Sequence, residues 1–353
     1  MAAGATLPDA GWTSDARVMP FAENKVSIDM RPLADADPEP LFSDVYPAMQ
    51  ALGEYNSGLY MVAWAADAPV MYFNKTMLQD AGVEPPPPEG WTVDEFLANL
   101  TKVAQPDKQI YGWYGNEDWW AIYVPWMEGF GGSFFNEDKS QVLINSPECV
   151  EACQKLADSY VKYNFAIPKG ATLTGNPFLM GLAACFIQNR NVCRSIRDVN
   201  PEWEWDVCLP PRQPVKHVCG SGTMGTSVYT AAVKNKTEQV SWELCKSVIM
   251  PSVQRTLARG YLIIPVLQSM AQDASWYELD PPPHNRDVYL MVMERAITPP
   301  MPAGPECGTV YMGAINQVMA DAWQEMVVGA VPAKKALDKA AKRINDCIAS
   351  GGE

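Results

Sequence analysis

Val70-Met-Tyr-Phe-Asn-Lys-Thr-Met-Leu-Gln-Asp-Ala-Gly-Val-Glu-Pro-Pro-Pro-Pro-Glu-Gly-Trp-Thr-Val-Asp-Glu-Phe-Leu-Ala-Asn-Leu-Thr-Lys-Val103 is the stretch from which the fold is read. Its first four residues are apolar, aromatic or β-branched and predict a strand over 70–73. The proline run at 85–88 predicts a loop. Thr92-Val93-Asp94-Glu95 is a capping box: the threonine oxygen and the glutamate three residues on each take an orphan backbone N–H. Val93, Phe96, Leu97, Leu100 and Val103 then make one apolar stripe, so a helix follows the loop.

The same alternation continues outward. Ser146-Pro147-Glu148 opens a second helix, with Ser146 as N-cap and Pro147 at N1, striped by Val150, Cys153, Leu156 and Tyr160. A third is expected after Thr237. A fourth spans 251–259, with Gly260 placed for the left-handed conformation past its end. Ile315, Met319, Ala322 and Met326, then Leu337, Ala340 and Ile344, stripe two closing helices. Strands are predicted at 59–63, 70–73, 183–187, 205–209 and 228–233. Strands and helices in this order indicate an α/β class with largely parallel sheets.

A chain of 353 residues exceeds the roughly 250–300 at which single cores stop growing, so two lobes are expected. A formal charge of −14 argues against nucleic acid, which needs a basic face. All nine cysteines lie from Cys149 onward without a C-x-x-C pair, and only His217 and His284 accompany them, so no metal site is expected. They read as buried small hydrophobes, with a disulfide or two if the protein is exported. The start has neither the basic nor the apolar region of a signal peptide, and taken literally it keeps the chain in the cytoplasm.

The densest chemical signal is residues 111–135, with ten aromatic rings in a chain that is 10% aromatic, and with Glu117, Asp118 and Glu128 as its only charges. Sugars suit such a surface, since their C–H faces stack on rings and their hydroxyls donate to carboxylates and amides. Trp120, Tyr123, Val124 and Met127 sit at helical spacing and read as core. Trp113, Trp119 and Trp126 are the rings left for a ligand. Gly220-Ser221-Gly222-Thr223-Met224-Gly225 fits G-x-G-x-x-G but runs into a strand-like segment, which excludes the dinucleotide reading. There is no G-x-S-x-G elbow. Glu117 and Asp118 are the candidate acid pair for a glycoside hydrolase.

The segment Met71 to Val83 resembles "YYNKxLFxxAGL", and Trp91 to Phe96 resembles "WTxDEF", motifs of extracellular solute-binding family 1, which contains maltose-, oligosaccharide- and glycerol-phosphate-binding proteins. Residues 2–9 resemble that family's "AAG-T-PD" segment and 144–148 its "vNSPE". Residues 181–187 match "G-x-A-A-M-x-I", and Trp205-Asp206-Val207 with Leu209-Pro210 matches "W-D-V-x-x-L-P". They follow in family order over nearly the whole chain. Cys185 stands where methionine is commoner, and no tryptophan occurs near Asn189 to Val192, where the family often has one.

The resemblance implies a two-lobed, periplasmic-binding-protein-like α/β fold of type II, with ligand in an inter-lobe cleft. Lobe one would take 1–62 and 219–275, and lobe two 63–218 and 276–353. Carried over by position, the implied ligand contacts are Trp12, Ser14, Trp64, Asp67, Trp113, Trp119, Asn189, Arg190, Gly220, Ser221, Tyr261 and Tyr311, the last beyond Pro305. The implied function is capture of a carbohydrate for ABC permease subunits, without catalysis or cofactor, by a monomer outside the cytoplasm; a lipid anchor stays open. A glycerol phosphate or phosphodiester ligand, contacted by Arg190, Arg194 and Arg197, is the alternative within the family. The enzyme reading stands outside it, and a third reading keeps the binding fold but couples it to a sensor or chemotaxis receptor. The family also places a signal peptide and a leading strand and helix before the "AAG" segment, so a truncated start is expected.

Overall fold

A computed structural model describes residues 7–171, 173–270, 273–277, 279, 282–304 and 306–351. Residues 2–6 of the leading motif, Pro281 and Pro305 lie outside the described residues. The chain divides into two compact units, Met1–Asp67 with Gly222–Leu279, and Ala68–Ser221 with Asp280–Glu353.

The first unit is built on a three-stranded antiparallel sheet. Thr223–Val228 lies between Ala10–Ser14 and Val62–Ala66, with Trp12 opposite Thr226 and Thr226 opposite Val62. The register shifts between Met224 and Gly225. A Cβ at Gly225 would stand 2.2 Å from Met61 Cγ and 2.6 Å from the Val62 carbonyl, so this close approach requires glycine. Helix Asp15–Glu23 continues directly from the first strand. At that junction the buried Asp15 carboxylate accepts from the Ala16 N–H (2.7 Å) and from the Thr223 N–H (3.0 Å), tying helix start to central strand. On helix Glu238–Ser247, buried Trp242 donates its indole N–H to Asp37 at 2.6 Å, and Lys246 pairs with the same carboxylate at 2.9 Å.

The second unit carries a four-stranded sheet in the order Tyr111–Trp113, Ala183–Gln188, Val70–Asn74, Trp205–Cys208. The first pair is parallel and the other two are antiparallel. Helix Val93–Val103 begins in the expected capping box: the Thr92 N–H donates to Glu95 at 2.8 Å, and the Glu95 N–H donates to the Thr92 hydroxyl at 3.2 Å. All five stripe residues are buried. Ser146 caps helix Pro147–Val161 by accepting from the Cys149 N–H. Helices Gly313–Val327 and Ala333–Ser350 bury their predicted stripes against the same core. Cys307 and Cys347 form a disulfide, and the other seven cysteines are buried.

Four expectations are corrected. The sheets are mainly antiparallel, because Val70–Asn74 is flanked by strands that the chain reaches more than a hundred residues later, and such pairing leaves no local trace. The strand expected at 59–63 is Val62–Ala66. The strand expected at 228–233 ends at Val228, and helix Thr230–Asn235 follows, so alanine propensity prevails after Tyr229. Gly260 keeps φ −73°, its N–H bonded to the Thr256 carbonyl, and Tyr261 takes the left-handed turn at φ 60°.

Candidate functional site

In the second unit the aromatic block forms strand Tyr111–Trp113, a loop, and helix Trp120–Gly129. Nine of the helix's ten residues are buried, so it has no free face. Trp126 lies between Phe96 and Phe130, with ring centroids at 6.2 and 6.3 Å. Trp113 is 1% exposed and set edge-on to Phe96 at 5.3 Å. Both indoles are packed in the core, Trp113 among the residues expected at a ligand and Trp126 the alternative to Trp119. A flat apolar ring gains more from closing the core than from a wet surface, and sequence spacing did not separate the two.

The loop keeps the accessible chemistry. Tyr114, Asn116 and Trp119 are half-buried, with the Tyr114 ring stacked 6.2 Å from Phe186. Glu117 has no exposed surface. The Tyr160 hydroxyl donates to it at 2.6 Å, and Lys169 pairs with its other oxygen at 2.9 Å while donating to the Gly115 carbonyl at 3.3 Å. Burial and the neighbouring Glu117 charge push the Tyr160 hydroxyl well above its ordinary range. A Cβ at Gly115 would fall 2.3 Å from both Trp113 Nε1 and the Tyr160 hydroxyl. Glu117 thus anchors the loop from inside while Asp118 points out, which corrects their reading as an acid pair.

Asn189 and Arg190 follow strand Ala183–Gln188. The buried Tyr72 hydroxyl donates to the Asn189 carbonyl at 3.1 Å, and the Arg190 guanidinium, 4% exposed, lies 5.5 Å over the Tyr289 ring. Arg194 gives both its bonds, at 2.8 Å, to Asp198, and Arg197 donates to the Pro282 carbonyl at 2.6 Å. The side-chain oxygens of Asn116 and Asn189 are buried and have no hydrogen-bond partner among the described residues. Tyr311 sets its half-buried ring against Trp120, with centroids 5.6 Å apart. Gly220 and Ser221, also expected at a ligand, are closely packed. A Cβ on Gly220 would stand 2.8 Å from Ala121 Cα, and the fully buried Ser221 hydroxyl faces Met293 sulfur at 3.7 Å. No helix opens at Gly225, as a dinucleotide site would need.

In the first unit Trp12 is 52% exposed, although the Tyr229 hydroxyl holds its carbonyl at 2.9 Å; Arg17 lies 5.9 Å from the ring. Ser14 stands at the N-cap of Asp15–Glu23 without a side-chain cap bond. Trp64 is half-buried. Its carbonyl accepts from Gln254 at 2.8 Å, and its indole N–H is buried without a partner among the described residues. The Asp67 N–H donates to the Gly222 carbonyl at 3.0 Å. Burial first, and the Asp15 charge second, push the Asp67 carboxyl up to about 7. Tyr261 is half-buried in the left-handed conformation, uncommon for an aromatic residue and found where surroundings over-determine the backbone.

Asp15, Asn116, Tyr160 and Lys169 are not marked by the sequence patterns. Asp15 carries one signal, an acid in the first turn of a helix; the others are brought to the site by pairing that no local pattern reveals. Among the described residues no group of three His, Cys, Asp or Glu gathers as metal ligands, and no helix is long and apolar enough to cross a membrane.

A family model described as bacterial extracellular solute-binding protein matches residues 1–281. The maltotriose-binding protein of Pyrococcus abyssi is 22% identical over 301 residues, covering 83% of this chain; the chain spans 62% of that relative's length. The structure of an ABC substrate-binding protein from Listeria monocytogenes, in complex with cycloalternan, aligns with a TM-score of 0.88 at 20% identity, over 98% of this chain and 86% of that one. A solute-binding protein of an ABC transporter from Thermotoga lettingae, bound with α-D-tagatose, aligns at 0.82 and 18% identity, over 97% and 85%. At these identities the structural likeness establishes the α/β fold of two-lobed binding proteins.

Proposed function

The chain belongs to the bacterial extracellular solute-binding protein family, and from that premise we propose that it is the capture component of an ABC importer, binding a neutral mono- or oligosaccharide and delivering it to membrane permease subunits. One observation carries the choice of ligand. The buried Asn116 and Asn189 side-chain oxygens lack partners among the described residues, in the unit that also carries the half-buried rings Tyr114, Trp119 and Tyr311. An unpaired buried acceptor costs about 1–3 kcal/mol until a donor reaches it. Sugar hydroxyls donate, and sugar C–H faces stack on rings; phosphate oxygens would be repelled by such acceptors. Trp12, Trp64 and Asp67 are the groups of the first unit proposed as ligand contacts.

Arg194 is engaged by Asp198, which counts against the phosphodiester alternative. The enclosed Glu117 counts against hydrolysis. The protein is proposed to act as a monomer outside the cytoplasm, where the Cys307–Cys347 disulfide would persist. Isothermal titration with maltodextrins, cyclic glucans, monosaccharides and glycerol phosphates tests the reading. Saturable binding of one or more sugars is expected; binding of a phosphate ester alone, or of nothing in the panel, overturns it.

A further inference from the structure

We propose that the Cys307–Cys347 disulfide is a positioning link for Tyr311: it latches the turn that carries this ring and so sets where the ring stands against Trp120. Its consequence for ligand affinity rests on the sugar-binding reading; its consequence for ring position does not.

Tyr311 sits at the tip of a closed turn. The Thr309 N–H donates to the Met312 carbonyl at 2.7 Å, the Met312 N–H returns to the Thr309 carbonyl at 3.2 Å, and the Tyr311 N–H donates to the Thr309 hydroxyl at 3.2 Å. Gly308 and Gly313, both left-handed, close its base: a Cβ on Gly308 would stand 2.8 Å from Gly313 Cα and 2.2 Å from the Met312 carbonyl. Tip and base therefore move as one piece.

That piece is held on two sides. Helix Gly313–Val327 starts at its far end, where the Ile315 N–H donates to the Cys307 carbonyl at 3.1 Å. At its near end the described residues between Ile297 and Cys307 form no helix or strand, and the covalent tie is the bond from Cys307 to Cys347, 40 residues away on helix Ala333–Ser350. That helix is fixed by buried Leu337, Ala341 and Ile344, and by Asn345, which accepts from the Val142 N–H at 2.9 Å. The disulfide thus adds a covalent tie to a turn whose Thr309 and Val310 are buried and which sets the half-buried Tyr311 ring beside the aromatic loop. The other seven cysteines are buried, each a single thiol without a bridge, so reduction acts at this one bond.

The test compares native protein, protein reduced with a phosphine that takes oxygen from water to become its oxide while the two hydrogens of that water complete the two thiols, and the Cys307→Ser/Cys347→Ser variant. Each is checked for native far-UV circular dichroism, and the reduced native protein serves if the variant does not fold. The ligand-free readout is fluorine NMR of 3-fluorotyrosine at 311, with position 123 as an internal control. Loss of the bond is expected to shift or broaden the 311 signal and leave the 123 signal unchanged. For a sugar identified by titration, affinity is expected to fall about fivefold or more, and to fall no further in a Tyr311→Ala background, the non-additivity of coupled groups. An unmoved 311 signal overturns the inference, as does an undiminished loss in the Tyr311→Ala background, or native peptide maps with both thiols unlinked. If no sugar binds, the function proposed above fails while the fluorine signal still decides this point.

Discussion

A Glu117 carboxylate with no exposed surface, bonded by Tyr160 and paired with Lys169, has both oxygens turned to protein partners rather than to the open surface where a general acid meets its substrate. Glu117→Gln is expected to remove the buried partner of Lys169, which keeps Asp118 at 4.0 Å and the Gly115 carbonyl at 3.3 Å, and to lower unfolding free energy in urea by about 1–3 kcal/mol. It should release no reducing sugar in either form, whereas a catalytic Glu117 would leave stability intact and abolish turnover. Trp12 predicts the opposite pattern. Its indole is half exposed, so Trp12→Ala should change stability by no more than about 0.5 kcal/mol. Titration calorimetry should show the loss of its stacking as a fall in sugar affinity of about tenfold. Asp67 titrates near 7 in the folded chain and near 3.9 when unfolded. The folded state then holds a proton that the unfolded state gives up across that window, so the contribution of Asp67 to stability is greatest below about 4, declines as pH rises toward 7, and levels above it. The difference in denaturation midpoint between Asp67→Asn and the native chain, measured from pH 4 to 8, should grow in favour of the variant as pH rises toward 7.

Elements whose ends are written locally are legible in the sequence. Thr92 with Glu95, and Ser146 with Pro147, each satisfy backbone donors within one turn, and both helices begin where those residues place them. Thr92→Ala should cost about 1 kcal/mol in thermal or chemical denaturation, with Thr92→Ser restoring most of it. Strand direction is not legible in the same way. Tyr72 pairs with Phe186 on one side and Val207 on the other, partners chosen by the fold and absent from the neighbouring sequence. The site divides similarly. The aromatic density of 111–135 marks the segment whose loop keeps half-buried rings, and Trp119 is one of them. The exchange of Trp113 and Trp126 into the core depends on Phe96, which arrives from another helix. Residues transferred by family position fare by environment: Trp12, Trp64 and Asn189 keep open or unpaired groups, whereas Gly220 and Ser221 are consumed by packing.

For the molecule as a whole, the charge of −14 sets up a field that any charged ligand must cross. A neutral sugar feels almost none of it. A glycerol phosphate would be repelled at long range, and that repulsion is screened as the Debye length shrinks from about 30 Å at 0.01 M salt to about 3 Å at 1 M. The two ligand classes therefore carry opposite signatures in one experiment. If hydroxyl donors meeting Asn116, Asn189 and stacked rings supply the affinity, the dissociation constant should stay within about twofold between 0.02 and 0.5 M sodium chloride, since short-range hydrogen bonds and stacking are not screened at that distance. An anionic ligand held without arginine contacts should bind more tightly as salt rises, its repulsion removed. One held by arginines at contact should weaken, because added ions compete for the pair. Salt titration by calorimetry thus separates neutral capture from both anionic modes, and an invariant affinity is the outcome expected of this chain.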